Sequence, residues 1–333
     1  MNATLVPLSI PGHTLPAALV REGLAATRAV VAPEGPWPPV ARALAEAVLR
    51  KVGLALDADA IEPTAPEHTA AVVTDPVLGV QLIRLAIVAA IADGRPAIET
   101  VERVDRLAAA VGVETPALLD LRHIARGRHW RLRLHLMPRF WAVRAIRAYG
   151  KKAGWWAVVR MLGVIARLWR DETIMRRFAE FEALPPATLG RRFVEFLDGA
   201  GIPRPGTRGA APWLIAYHDI THVLAGYGTD PSSEVLAASF QAGYRREDPF
   251  AIILFALCQF QLGIRMAPIA TPTTGMLVPH RFVDAVCRGA AVTRDFTDGS
   301  WDLWAEMDDD LEEVRRRYNV QPPALPPATD AAA

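Results

Sequence analysis

The sequence predicts an all-α protein. Of its 333 residues, 51% are apolar; alanine, leucine, valine and arginine are abundant, whereas asparagine, glutamine and lysine are rare, which favours helices over sheets. Apolar residues recur at helical spacing in several segments, and glycine and proline separate these segments. A chain of this length is expected to form two domains, or one large domain with an extension.

Residues 1–66 form a predicted N-terminal extension rich in proline and alanine. We expect one helix there, in PPVARALAEAVLRKVGLAL (38–56), where Val40, Leu44 and Val48 make one apolar face. The first twenty residues lack the basic start and the continuous apolar run of a secretory signal. We therefore expect a cytoplasmic protein.

The two cysteines, Cys258 and Cys287, lie far apart in apolar segments, and we interpret them as buried thiols in a reducing compartment. The segment PFAIILFALCQFQLGIRM (249–266) is the best candidate for a membrane span, but two glutamines and an arginine interrupt it. It falls short of the roughly 20 apolar residues that a crossing needs, so we predict a buried helix.

Residues 67–138 are predicted to be a smaller helical domain of three or four short helices, with breaks at Gly94-Arg95-Pro96 and Gly112. The Ala-Asp-Gly turn at 92–94, followed by Glu99, resembles the tellurite-resistance B-like helical domain. Asp93 and Glu99 could hold a cation. We favour capping roles for both, because one lies at a helix end and the other in the next first turn.

The charge pattern changes between Arg122 and Arg170, where there are thirteen arginines or lysines, no acidic residue and seven aromatic residues. If the segment continues as one helix, with about 100° per residue, four cations share an arc of about 80°. These are Lys152, Arg160, Arg167 and Arg170. The stripe is a solvated rim, a membrane-surface helix or a nucleic-acid contact. No recognised nucleic-acid motif accompanies it, and we expect no nucleic-acid partner.

The segment YHDITHVLAGYGTDPSSEV (217–235) gathers two histidines and several carboxylates in otherwise apolar surroundings. On a helix, His218 and His222 are one turn apart and share a face, while Asp219 projects beside them. Two imidazoles in this arrangement can bind one ion. The alternative is that these polar residues are unrelated and that backbone carbonyls satisfy the histidines.

The residues that follow predict a turn and a second helix. Gly226 and Gly228 should end the first helix, Asp230 should be the next N-cap and Pro231 the first helical residue. Glu234 then lies in the first turn and points back toward the histidines. The predicted metal ligands are His218, Asp219, His222 and Glu234. Zn²⁺ is the commonest ion for such a set, and Fe²⁺ or Mn²⁺ would also suit it.

Other metal sites are weaker predictions. HDITH resembles the H-E-x-x-H motif of zincin-like hydrolases, but Asp219 is one carbon short of the general-base position and no third histidine follows. Four further histidines have no partner at a useful spacing, so we expect surface or core roles for them. These are His123, His129, His135 and His280.

The spacing HDITH, eleven residues and Glu matches the His-Asp-x-x-His-x11-Glu signature of the coenzyme Q biosynthesis protein 4 family. The flanking segments LPPATLGRRFVEFLDGAGI (184–202) and CRGAAVTRDFTDGSWDLWAEMDDDLEEVRRRYNV (287–320) also resemble this family. The resemblance covers residues 139–320. One departure is PWLIAY (212–217), because the family tends to carry arginines just before the motif.

The resemblance implies a helical C-terminal domain with a metal-bearing helix-turn-helix, in a membrane-associated protein of ubiquinone assembly. Members are thought to bind zinc through the four signature residues and to hold a polyprenyl tail in an apolar tunnel. They are also thought to support a multi-enzyme complex and to help replace the C1 carboxylate of the head group with a hydroxyl.

Two functional hypotheses follow. The first is a metal-dependent enzyme acting in C1 oxidative decarboxylation of a polyprenylated benzoquinone precursor. The second is a non-catalytic lipid-binding scaffold that organises quinone-biosynthesis enzymes. Expected partners are the prenylated precursor, those enzymes and an anionic membrane surface, with peripheral attachment to the inner membrane; a homo-oligomer is compatible with the sequence. Residues 321–333, rich in proline and alanine, are expected to be disordered.

Overall fold

The predicted all-α class is confirmed. The computed structural model describes residue 9 and residues 15–267 and 270–322, and these residues form sixteen α-helices and no β-strand. Backbone pairing among them is limited to two isolated bridges. No helix in this part of the chain combines the length and hydropathy that a bilayer crossing requires. The predicted disordered tail, 321–333, lies outside the described residues from position 323 onward.

The chain divides into two compact units, each assembled from two separate stretches of sequence. The first unit comprises Met1–Arg144 and Asp230–Ala290, and the second comprises Ala145–Thr229 and Ala291–Ala333. This division differs from the predicted boundaries after residues 66, 138 and 320, which followed sequence composition and family resemblance. The predicted arrangement of a smaller helical domain before a larger one therefore stays a prediction.

The first unit is organised around two helices that are buried on most sides. Its helices are α1 (Ala17–Val31), α2 (Pro39–Lys51), α3 (Pro66–Val72), α4 (Pro76–Ala92), α5 (Ile98–Ala110), α6 (Pro116–Ala125), α7 (His129–Leu136), α13 (Pro231–Tyr244), α14 (Pro249–Ala256) and α15 (Pro279–Ala290). Twelve of the 17 residues of α4 and eleven of the 14 residues of α13 are buried. The N-terminal extension thus contains two α-helices, α1 and α2, where the sequence suggested one.

Helices α13 and α15 touch backbone to backbone, which requires glycine on both sides. A Cβ atom on Gly289 would lie 2.0 Å from the carbonyl oxygen of Phe240, and one on Gly243 would lie 2.4 Å from the backbone nitrogen of Ala290. No side chain fits either gap, because real Cβ atoms do not approach other atoms so closely. The contact fixes α13, whose first turn carries Glu234.

Asp93 has the capping role that the sequence favoured, but it caps a distant helix. Its two carboxylate oxygens accept hydrogen bonds from the amides of Val40 (2.8 Å) and Ala41 (2.9 Å), at the N-terminus of α2. These amides have no partner within the helix, and a negative charge there also complements the helix dipole. Glu99 lies in the first turn of α5, as expected.

The segment predicted as a buried helix is confirmed as buried and helical, although its last turn is a π-helix, Leu257–Gln261, that continues α14. The two glutamines that argued against a membrane span are buried, and each side chain both donates and accepts a hydrogen bond. Gln259 donates to the carbonyl of Ala270 and accepts from the amide of Met266. Gln261 accepts from the amide of Leu277 at 2.8 Å and donates to the carbonyl of Ala92. Neither Cys258 nor Cys287 forms a disulfide; Cys258 is buried as predicted, whereas Cys287 is only half-buried.

The second unit contains most of α8 and five further helices around an aromatic core. Its helices are α8 (Trp141–Ala153), α9 (Trp155–Ile165), α10 (Glu172–Glu182), α11 (Leu189–Gly199), α12 (Ala216–Ala225) and α16 (Leu311–Arg317). The ring of Phe178 lies 5.7 Å from that of Phe193 and 6.2 Å from that of Trp304. A Cβ atom on Gly190 would meet the carbonyl oxygen of Met307 at 2.9 Å, so α11 packs closely on this segment.

The predicted continuous basic stripe is wrong, because its four cations do not share one helix. Gly154, with a φ of +84°, separates α8 from α9, and Lys152 belongs to α8. Arg167 lies beyond the end of α9 and has a φ of +63°, a left-handed conformation that a helix does not contain. Short breaks of this kind interrupt the helical phase that the prediction assumed.

Candidate metal centre

The predicted helix-turn-helix is present. Helix α12 begins after a 3₁₀ turn at Trp213–Ile215 and ends at Gly226, which has a φ of +74°. This left-handed C-cap is the usual role of glycine at a helix end. The amide of Gly226 donates to the carbonyl of His222, which closes the last turn.

The second helix also begins as predicted. Pro231 is the first residue of α13, and Asp230 is its N-cap. One carboxylate oxygen of Asp230 accepts from the amides of Ser232 (3.0 Å) and Ser233 (3.1 Å). Glu234 therefore lies in the first turn of α13, as the sequence indicated.

His218 and His222 face each other through their Nε2 atoms. These two atoms are 3.3 Å apart, and the ring centroids are separated by 4.9 Å with the rings nearly perpendicular. His222 is buried, and His218 is half-buried. The Nδ1 atom of His222 is 2.7 Å from the carbonyl oxygen of Gly228. A carbonyl can only accept, so Nδ1 carries a proton, and in the neutral form of the ring Nε2 has the lone pair that a metal ion needs.

This geometry fits a divalent cation. Two nitrogens bound at about 2.0–2.1 Å to one tetrahedral zinc are about 3.3–3.4 Å apart, and the two Nε2 atoms are separated by 3.3 Å. Histidine ligands usually donate their other ring N–H to a carbonyl or a carboxylate, as His222 does. A proton shared between the two nitrogens would satisfy the same separation, so protons and a metal compete for this position.

Glu234 completes a group of three candidate ligands. A carboxylate oxygen of Glu234 and the ring nitrogens of His218 and His222 all lie within 4.8 Å of one another. Glu234 is half-buried, so its carboxylate is partly shielded from water. The structure does not bring Asp219 into this group; it is half-buried in the first turn of α12, and its role as a fourth ligand stays a prediction.

Two residues that the sequence did not single out, Phe196 and Arg315, hold the histidine helix in place. Phe196, on α11, stacks on the ring of His222 with centroids 5.5 Å apart and an interplanar angle of 26°. Arg315, on α16, donates to the carbonyls of Leu224 and Val223, each at 2.9 Å. The guanidinium thus satisfies carbonyls of the last turn of α12 and places a positive charge at its negative end. Gly228 orients His222 through its carbonyl.

Two ionisable groups near the histidines are perturbed by their surroundings. Burial raises the pKa of Tyr217, and the negative charge of Asp302 raises it further. Its hydroxyl donates to the carbonyl of Trp301 at 3.4 Å. Burial alone would raise the pKa of Asp230, but hydrogen bonds from the Ser233 hydroxyl and from amides of the first turn lower it overall. Asp230 is therefore held as a carboxylate.

The histidines predicted to have surface or core roles lie outside this group. His280 is exposed at the start of α15. His135, in the first unit, is 2.6 Å through its Nδ1 from a carboxylate oxygen of Asp120, which is fully buried. The other carboxylate oxygen of Asp120 accepts from Arg139, whose guanidinium also lies 3.5 Å from Asp248. This is an ionic network around a fully buried carboxylate, with partners that are themselves half-buried.

Comparison of the chain with protein-family models, with curated proteins and with solved structures gives no match.

Proposed function

We propose that this protein binds one divalent cation through His218, His222 and Glu234 and acts in the biosynthesis of a prenylated quinone. The observation that carries the metal proposal is the 3.3 Å separation of the two Nε2 atoms, with His222 oriented by the Gly228 carbonyl. The link to quinone biosynthesis comes from the resemblance of the 218–234 segment to the coenzyme Q biosynthesis protein 4 signature. Zn²⁺ is the ion we propose, and Fe²⁺ and Mn²⁺ fit the same donors.

Oxidative decarboxylation at C1 of a prenylated benzoate is the reaction we propose. It replaces the ring carboxylate with a hydroxyl and releases carbon dioxide. The oxidant is dioxygen, which gives one oxygen atom to the ring, and a two-electron donor with two protons reduces the other oxygen atom to water. When bound, a divalent cation polarises a carboxylate and stabilises the charge that develops as carbon dioxide leaves. The protein's own contribution is to orient the ligands: the Gly228 carbonyl fixes the His222 tautomer, and burial of that ring keeps water away from it.

The proposal is tested in the source cells by replacing the gene with one encoding Glu234→Gln. This change keeps the size of the side chain and removes its charge, so the fold should be retained. We expect accumulation of a prenylated precursor that still carries its ring carboxylate, together with loss of metal from the purified protein by elemental analysis. Normal quinone levels in cells whose purified variant lacks the metal would contradict the enzymatic proposal.

A membrane-bound scaffold is the second candidate function, and an exposed apolar face on α9 favours it. Trp155, Val159 and Leu162 are 64%, 44% and 50% exposed and fall within about 60° on a helical wheel. Among the described residues, six of the twelve exposed large hydrophobic side chains lie between 155 and 168. The surrounding stretch, 122–170, carries cations and no acid. Tryptophan at the interface and arginine at the headgroups suit an anionic bilayer.

Vesicle binding should depend on this face. Changing Trp155 and Leu162 together to serine should weaken binding to vesicles of 30% phosphatidylglycerol and 70% phosphatidylcholine at least about tenfold, because two side chains lose their apolar contact with lipid. Binding of the unchanged protein to pure phosphatidylcholine should also be weaker, because headgroup charge attracts the cations. Co-sedimentation measures both.

Trp130→Ser is the matched control for the vesicle experiment. Trp130 is 58% exposed but belongs to a different helix, α7, and is not part of the apolar face of α9. Its replacement should change vesicle binding less than about twofold. The docking proposal is contradicted if this control weakens binding as much as the double variant does, or if the double variant binds as the unchanged protein does.

A further inference from the structure

A cavity of about 490 Å³ lies in the second unit, and neither the metal site nor the apolar face of α9 accounts for it. Its walls combine four aromatic side chains with two arginines. These are Tyr149, Trp156, Trp213, Trp304, Arg160 and Arg177. Cavities of roughly 300–1,000 Å³ with a few polar groups are typical small-molecule sites.

The aromatic rings form one connected wall. The ring of Trp213 lies 5.7 Å from that of Tyr149 and 5.7 Å from that of Trp304. Trp156, at 70% exposure, stands at the rim on the side of α9 that also carries Arg160. On a helical wheel this side is about 100–140° away from Trp155, so the cavity and the proposed docking face occupy different faces of α9. Such a wall favours a flat apolar molecule.

The lining carries two guanidinium groups that can bind an anionic ligand. The guanidinium of Arg177 lies 4.9 Å from the ring centre of Trp304. In the described part of the chain, neither Arg177 nor Arg160 forms an ion pair with a carboxylate. Asp171 is the acidic residue of the lining. Its carboxylate accepts hydrogen bonds from the amides of Thr173 and Ile174 at 3.2 Å each, so it caps the N-terminus of α10 and complements the helix dipole there.

We propose that this cavity binds a planar aromatic carboxylate, with the ring against the aromatic wall and the carboxylate paired with Arg177 and Arg160. A guanidinium pairs with a carboxylate through two parallel hydrogen bonds. The inference concerns a site separate from the proposed metal site, because the cavity shares no residue with that site and binding there requires no cation. Its ligand class includes the head group of the proposed substrate.

The test is calorimetric titration of the full-length protein in EDTA with 2-naphthoate and, separately, with 2-naphthamide. The two probes share the ring and differ in charge, so naphthoate should bind at least about tenfold more tightly through its charged hydrogen bonds. Arg177→Gln and Arg160→Gln should each weaken naphthoate binding at least about tenfold and leave naphthamide binding within about twofold. Both arginines are exposed on helices, so both variants should fold, which circular dichroism checks.

Arg176→Gln is the matched control, because Arg176 precedes Arg177 on α10 and does not line the cavity. It should leave naphthoate binding unchanged. The proposal is overturned if Arg176→Gln weakens binding as Arg177→Gln does, or if both probes bind equally. It is also overturned if inorganic phosphate alone displaces naphthoate at equal concentration, since the site would then recognise an anion, such as a lipid headgroup, without the ring. Because the titration contains EDTA, its failure leaves the metal proposal untouched.

Discussion

Replacing His218 with alanine should abolish stoichiometric binding of Zn²⁺, with an affinity at least about 100-fold lower than that of the unchanged protein. The two Nε2 atoms are 3.3 Å apart, so removing one leaves His222 and Glu234 with a site that lacks half of its imidazole donors. Changes to groups that only orient a metal ligand typically cost about 10–100-fold in affinity, and loss of a ligand should cost more. Competition with a zinc-sensitive dye measures the affinity.

Two controls make the zinc result specific. His280→Ala removes an exposed histidine outside the group and should leave zinc affinity unchanged. Phe196→Leu keeps both ligands but removes the ring stacked on His222, and should weaken zinc binding about tenfold. If His218→Ala and His280→Ala bind zinc equally well, the histidine pair is not the metal site.

The His218→Ala variant also distinguishes a stabilising role of the metal from a role in turnover. At a zinc concentration 100 times Kd, binding stabilises the folded state by about 2.7 kcal/mol. Zinc should therefore raise the Tm of the unchanged protein and leave that of His218→Ala as it is. A folded protein that loses quinone processing on chelation supports the enzyme. Unfolding on chelation instead supports the scaffold, in which the metal joins two helices.

Asp120→Asn should lower the free energy of unfolding by about 3 kcal/mol. Asp120 is fully buried, and its carboxylate serves both His135 and Arg139. An asparagine of the same shape presents an NH₂ group where an acceptor is required and leaves the Arg139 guanidinium, whose side chain is 18% exposed, with only the more distant Asp248. A buried charge that loses its partner is costly because water cannot replace it. Urea denaturation measures the change.

Asp284→Asn is the matched control for this measurement. Asp284 pairs with Lys51 at 3.0 Å, but both side chains are more than a third exposed. Surface pairs of this kind contribute about 0–1 kcal/mol, so the control should shift the urea midpoint little. Equal destabilisation by the two substitutions would show that burial of the Asp120 network contributes nothing to stability.

The parts of the fold that depend on neighbouring residues were predictable from the sequence. Gly226, Asp230 and Pro231 have the capping roles that their chemistry indicated, because a helix end is decided within one or two turns. The pairing of His218 with His222 likewise follows from one turn of helix. The position of Glu234 follows from these ends and the short turn between them.

The groups that orient the histidine helix, α12, could not be predicted, because they come from distant parts of the sequence. Arg315 lies 91 residues from Leu224, and Phe196 reaches His222 from another helix. The prediction of a continuous basic stripe was wrong for a local reason. Backbone breaks at Gly154 and Arg167 changed the phase of an otherwise helical pattern. Glycine within an apolar run is the one signal that could have warned of the first break.

Because Arg315 binds the carbonyls of Leu224 and Val223, the final helix of the described chain serves as a brace for the histidine segment. A truncation that removes Leu311–Arg317 would leave those carbonyls to solvent and free the end of the histidine helix to fray. A truncated protein that fails to retain zinc would have lost the hydrogen bonds from Arg315, although its metal ligands would still be present.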